Sequence, residues 1–173
     1  MKFDLGKAIE ILSATPPTLC SLLGEVSDDW TAGSGEGDAW GPFDVVGHLI
    51  HGEETDWIPR AQMILSLGET RTFVPFDRFA QFQRSKGKTL TDLLDEFADA
   101  RKKNIATLRS WSLTERKLEL KGLHPELGEV TLQQLLTTWV VHDLNHIRQI
   151  ATSMARKYSD EVGPWNEYLS ILQ

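Results

Sequence analysis

His142 and His146 stand four residues apart in the run His142-Asp143-Leu144-Asn145-His146. On a helix, that spacing puts two imidazoles about 40° apart on one face, one turn above the other. Such a pair can hold one divalent ion when a third ligand arrives from another element. A structural pairing of the two rings is the alternative, and the spacing alone does not separate the two readings. Asp143 stands where a metalloprotease His-Glu-x-x-His run carries its glutamate, so that arrangement is excluded. Asp143 is expected either to orient an imidazole or to face solvent.

Two candidates for the third ligand, His48 and His51, lie on a second apolar segment. That segment is apolar nearly all round, so its helical wheel does not choose between them. Glu53 and Glu54 follow at once and could assist from behind the ligands, or form a solvated acidic pair. His124, before Pro125, reads as a surface or packing histidine. Arg148 could hold a substrate carboxylate or be a solvated surface group.

Four helices must position these residues. The first is predicted from Phe3 to about Val26, with Asp4 as N-cap and a break or kink at Pro16-Pro17. Residues Thr31–Asp38 (TAGSGEGD) read as a glycine-rich loop. The second helix starts at Gly41-Pro42 and ends at Gly68, with a kink expected at Pro59. Glu69–Gly87 reads as an irregular connection with a turn or two of helix, packed by its phenylalanines. The third helix starts near Thr89 or Thr91 and runs to about Trp111 on apolar spacings of three and four. A hairpin is expected around Leu118–Leu120 and Gly128–Val130. Thr131 and Gln134 then form a capping box that opens the fourth helix, which runs to about Tyr158. A short tail helix is expected over Pro164–Leu172. The result is an all-α single domain, residues 1–173, built as an antiparallel four-helix bundle with a crossover connection.

Composition narrows the function. A net charge of −7 and the absence of a long basic cluster argue against nucleic acid as a partner. Arg101-Lys102-Lys103, the longest basic run, reads as a solvated helix face. No stretch reaches the ~18 apolar residues of a membrane span. The start Met1-Lys2-Phe3-Asp4 carries no apolar signal region, and Cys20 is the only cysteine, so a cytoplasmic protein is expected.

Trp40-Gly-Pro-Phe-Asp-Val-Val-Gly-His48-Leu, with Glu53, Glu54 and Trp57 after it, resembles the second-helix signature of the DinB/YfiT-like metalloenzyme superfamily. Gly128-Glu-Val-Thr-Leu-Gln-Gln-Leu-Leu, leading into His142-Asp-Leu-Asn-His146-Ile-Arg-Gln-Ile, resembles that family's last core helix. The resemblance implies three ligands at His48, His142 and His146, choosing His48 over His51. It also implies a divalent ion such as nickel or zinc, and a homodimer. The activities it implies are small-thiol-dependent transfer or hydrolysis of a small molecule. A non-catalytic metal-binding or interaction bundle is the competing expectation.

Overall fold

Local chemistry sets the helix ends. The structure, a computed structural model, describes residues 1–32 and 40–173. Helix α1 (Leu5–Leu23) opens on Asp4, whose carboxylate accepts from the Lys7 N–H at 2.9 Å, and stops at Gly24. The single turn α2 (Asp28–Thr31) follows. The second long stretch is α3 (Pro42–Thr55) followed by α4 (Trp57–Leu67), with Gly68 ending it at φ 56°. A short α5 (Ala80–Arg84) lies in the next connection. Capping boxes open the two longest helices: Thr89 with Asp92 for α6 (Leu90–Ser110), and Thr131 with Gln134 for the last. Between them come α7 (Glu115–Leu118) and an antiparallel hairpin of β1 (Lys121–His124) and β2 (Gly128–Thr131). Lys121 faces Thr131, and His124 faces Gly128. The final helix is α8 (Leu132–Arg156).

Several local expectations are corrected. α1 runs through Pro16 and Pro17 without interruption. A mid-helix proline frees the carbonyl four residues earlier, and here the freed Leu12 carbonyl accepts from Arg101 at 2.8 Å. In the second stretch the interruption falls at Asp56 (φ −109°, ψ −74°), ahead of Pro59. Pro59 offers no N–H to the Thr55 carbonyl and crowds it, so the chain turns just before. The first hairpin strand begins at Lys121, because Glu115–Leu118 has already closed a helical turn on its Thr114 cap. The tail forms two 3-10 turns, Gly163–Tyr168 and Ser170–Leu172. Of the expected loop at Thr31–Asp38, Thr31 ends α2, and residues 33–38 lie outside the described residues.

The long helices form a four-helix bundle in which α1 packs on α6 and α8, and α3 packs on the same two. Consecutive long helices α1 and α3 therefore sit on a diagonal. Two apolar clusters give the directions. Ile9 and Leu12 meet Trp57, Ala61, Ile105, Leu135 and Trp139 at one end. Leu19 and Leu23 meet Val46, Leu49, Leu94, Phe97 and Ile150 at the other. α1 and α8 thus run one way, and α3–α4 and α6 the other. The α4-to-α6 connection is the crossover that returns along the bundle.

A polar layer divides the two clusters, carrying Thr15, Glu53, Arg101 and Asp143, all buried. Among the described residues no helix is long and apolar enough to cross a membrane.

Candidate metal centre

α3 and α8 cross antiparallel at mid-bundle, which brings His48 of α3 against His142 and His146 of α8. The Nε2 atoms of His48 and His142 are 3.3 Å apart, and those of His146 and His142 are 3.0 Å apart. One ring nitrogen from each of the three lies within 4.8 Å of the others. Two nitrogens held 2.0–2.1 Å from one tetrahedral ion stand about 3.3 Å apart, so this spacing suits a shared divalent ion. The donor chemistry suits it as well. Burial pushes His48 down to about 3 and His142 down to about 2, with mutual repulsion among the rings adding to it. Burial also lowers His146, although its bond to Gln149 works the other way. All three rings are therefore neutral near pH 7, the form that binds metal. His146 Nδ1 donates to Gln149 Oε1 at 2.7 Å, which aims the Nε2 lone pair at the other two rings. Nδ1 of His48 and of His142 is buried without a hydrogen-bond partner among the described residues.

Behind this cluster lies a buried network centred on Arg101, a residue expected from the sequence on a solvated face. Arg101 is 1% exposed. A guanidinium has five N–H groups, and all five are used. Nε and Nη2 donate to Glu53 Oε1 at 3.0 and 2.8 Å. Nη1 and Nη2 donate to the two Asp143 oxygens at 2.5 and 2.9 Å. The last donor goes to the Leu12 carbonyl that Pro16 leaves free. Trp139 Nε1 donates to Glu53 Oε1 at 3.0 Å, and Asn104 donates to Glu53 Oε2 at 2.9 Å. Burial raises the Glu53 carboxyl, and Arg101 offsets this. Asp143 and Glu53 thus bond to Arg101 and its neighbours; the structure records no bond from either to an imidazole. The signal for Arg101 was its place in the stripe Leu94, Phe97, Arg101, Ile105, Leu108, all on one helix face.

The other sequence candidates lie apart. Glu54 is half-exposed and ion-paired to Arg84 on α5. His51 packs its ring on Phe76 at 4.8 Å. Arg148 is exposed.

A cavity of about 340 Å³ opens beside the cluster and is lined by His48 and His142. Trp57 meets His142 edge-on at 5.0 Å and stacks on Trp139 at 5.8 Å. Phe76 meets His48 edge-on at 5.4 Å. Asp56, Arg60, Phe73 and His124 also line the cavity. Sequence reasoning did not connect these four to the site, because they come from a helix break, helix α4, a loop and the hairpin, which no periodicity relates.

The family model of the DinB superfamily matches residues 11–150 of the chain. YfiT from Bacillus subtilis, described as a probable metal-dependent hydrolase with an unusual four-helix bundle topology, is similar at a TM-score of 0.74 and 25% identity. The likeness covers 89% of this chain and 87% of that one. TT2238, described as a four-helix bundle protein, is similar in fold at a TM-score of 0.53 and 19% identity, over 87% of this chain and 100% of its own. No curated protein matches.

Proposed function

The chain belongs to the DinB superfamily, and on that premise we propose that it is a divalent-metal-dependent enzyme acting on a small molecule. The observation that carries this reading is three neutral imidazoles meeting at one point, two of them on the wall of an apolar cavity. His48, His142 and His146 are the proposed ligands, and nickel or zinc suits an all-imidazole set. A divalent ion held there supplies Lewis acidity and lowers the pKa of a water or a low-molecular-weight thiol beside it.

The chain's own residues do the rest. Gln149 fixes the tautomer of His146. Trp57 and Phe76 brace His142 and His48 from the cavity side, and these apolar walls strengthen electrostatic interactions by excluding water. Glu53 of α3 and Asp143 of α8 are tied together through Arg101, which holds the two histidine-bearing helices in register. Glu54, paired at the surface, has no part in the reaction. The three-histidine cluster has no fourth His, Cys, Asp or Glu among the described residues, which supports an open position rather than a closed structural site.

Hydrolysis and thiol transfer differ in the nucleophile, and one screen separates them. Metal-loaded protein is offered amides and esters alone, and electrophiles together with small thiols. Turnover that disappears with a chelator and in His142→Ala identifies the class. Binding of metal with no turnover in either arm would favour the non-catalytic bundle. The homodimer belongs to the same proposal and is read by sedimentation velocity.

A further inference from the structure

Two arginines are buried among the described residues, and they are used very differently. Arg101 has all five N–H groups bonded. Arg60, 7% exposed, makes one hydrogen bond and one ion pair among the described residues. Its Nε lies 2.6 Å from Asp56 Oδ1, and its Nη2 donates to the Val74 carbonyl at 3.2 Å. Its other N–H groups have no hydrogen-bond acceptor among the described residues, and the side chain lines the cavity beside His48 and His142. The spare donors are not sealed in the core but open onto the cavity, where an acceptor from outside the chain can reach them.

A second donor stands at the same end. His124 Nδ1 accepts the N–H groups of Glu126 and Leu127, each at 3.2 Å. Its proton in the neutral ring is therefore on Nε2, and this residue too lines the cavity. Arg60 and His124 flank one ring: the guanidinium carbon is 5.3 Å from the Phe73 centroid, and the imidazole is 6.3 Å from it, edge to face. The walls between these donors and the metal-ligand candidates are mainly apolar, with Trp57 and Phe76 among them. The cavity is near the lower end of ligand-pocket sizes, which limits the occupant to a small molecule.

We propose that this cavity takes a small, largely apolar carboxylate, its carboxylate accepting from Arg60 and His124 while its other end reaches the histidine cluster. Arg60 and His124 are thus the groups that select the substrate. The proposal rests on the metalloenzyme reading for what happens at the histidine end. Asp56 works against carboxylate binding: its own charge lies beside Arg60, with no hydrogen-bond partner at Oδ1. Arginine is suited to this role because its planar fork matches a carboxylate.

The test is calorimetric titration of metal-free protein with 3-phenylpropionate and with its uncharged amide, 3-phenylpropanamide. Removing metal prevents the carboxylate from binding an ion instead. The carboxylate is expected to bind about tenfold tighter than the amide, as for a hydrogen bond to a charged group. Arg60→Met should abolish that preference, and His124→Phe should reduce it. Asp56→Asn, which keeps Arg60 and loses no side-chain cap bond, should tighten carboxylate binding; it remains informative if Arg60→Met fails to fold. Equal affinities for the two probes, no binding of either, or a preference unchanged in Arg60→Met would overturn the proposal. Metal content of the same variants is measured in parallel. A carboxylate preference in a wild type that takes up no metal would sink the metalloenzyme reading and leave the carboxylate subsite standing. One ion per chain with no carboxylate preference would do the reverse.

Discussion

Replacing Arg101 with methionine should be among the most damaging single changes in this protein. The substitution keeps an unbranched chain in the stripe but removes five donors at once. Glu53 and Asp143, with side chains 0% exposed, lose their only cationic partner among the described residues, and the Leu12 carbonyl loses its donor because Pro16 has no N–H to replace it. Removing one partner of a buried ion pair costs about 3–5 kcal/mol, and two stranded carboxylates place this case at the upper end. Total stabilities are about 5–15 kcal/mol, so the loss is a large fraction of the whole. With a urea slope of about 2 kcal/mol/M, the midpoint should fall by roughly 2 M. The informative comparison is Arg101→Met with the triple variant Arg101→Met/Glu53→Gln/Asp143→Asn, both followed by urea denaturation. Neutralising the carboxylates removes the stranded charges, so the triple variant should be more stable than the single one. A single variant within about 1 kcal/mol of wild type, or a triple variant less stable than the single, would refute the network as described.

Other outcomes follow from the same packing. In a helix interior proline is intrinsically about 3 kcal/mol less favourable than alanine. Pro16→Ala should gain clearly less, because the new N–H competes with Arg101 for the Leu12 carbonyl; the full gain in a thermal melt would contradict this. The metal-free protein should lose stability as pH falls from about 6.5 towards 3. The unfolded chain binds protons on His48 and His142 in that window, and the folded chain does not. The difference between wild type and His142→Leu, followed by urea midpoints against pH, isolates this slope. An absent or opposite slope would show that the rings are not buried in neutral form. Glu54→Gln should change stability by no more than about 1 kcal/mol, since its pair with Arg84 is at the surface, and should leave metal content unaltered.

Much of the bundle was legible because its signals are local. The Asp4 and Thr131 caps and the Gly68 stop each depend on residues within one turn, and each forms; of the two starts open for the third helix, Thr89 is the cap. The i and i+4 spacing of His142 and His146 likewise needs only a helix. What the sequence did not show depends on partners far along the chain. Arg101 looks like one charge in a basic run until Glu53, Asp143 and the proline-freed Leu12 carbonyl converge on it from three other helices. Pro16-Pro17 looks like a helix breaker until that same guanidinium satisfies a carbonyl that a proline had freed. Arg60 and His124 come from a helix and a hairpin far apart in the chain, which meet where α4 packs on β1. The choice between His48 and His51 was likewise beyond a helical wheel, since both faces of α3 are covered by other elements. Tertiary packing turns His48 towards α8 and leaves His51 against Phe76.

Elemental analysis of tag-free protein after incubation with zinc or nickel tests the metal centre most directly. Wild type, Glu54→Gln and Arg148→Ala should each hold about one divalent ion per chain, and His48→Ala, His142→Ala and His146→Ala should each lose it. No bound ion in wild type, or full occupancy retained in His48→Ala, would contradict a site shared between α3 and α8.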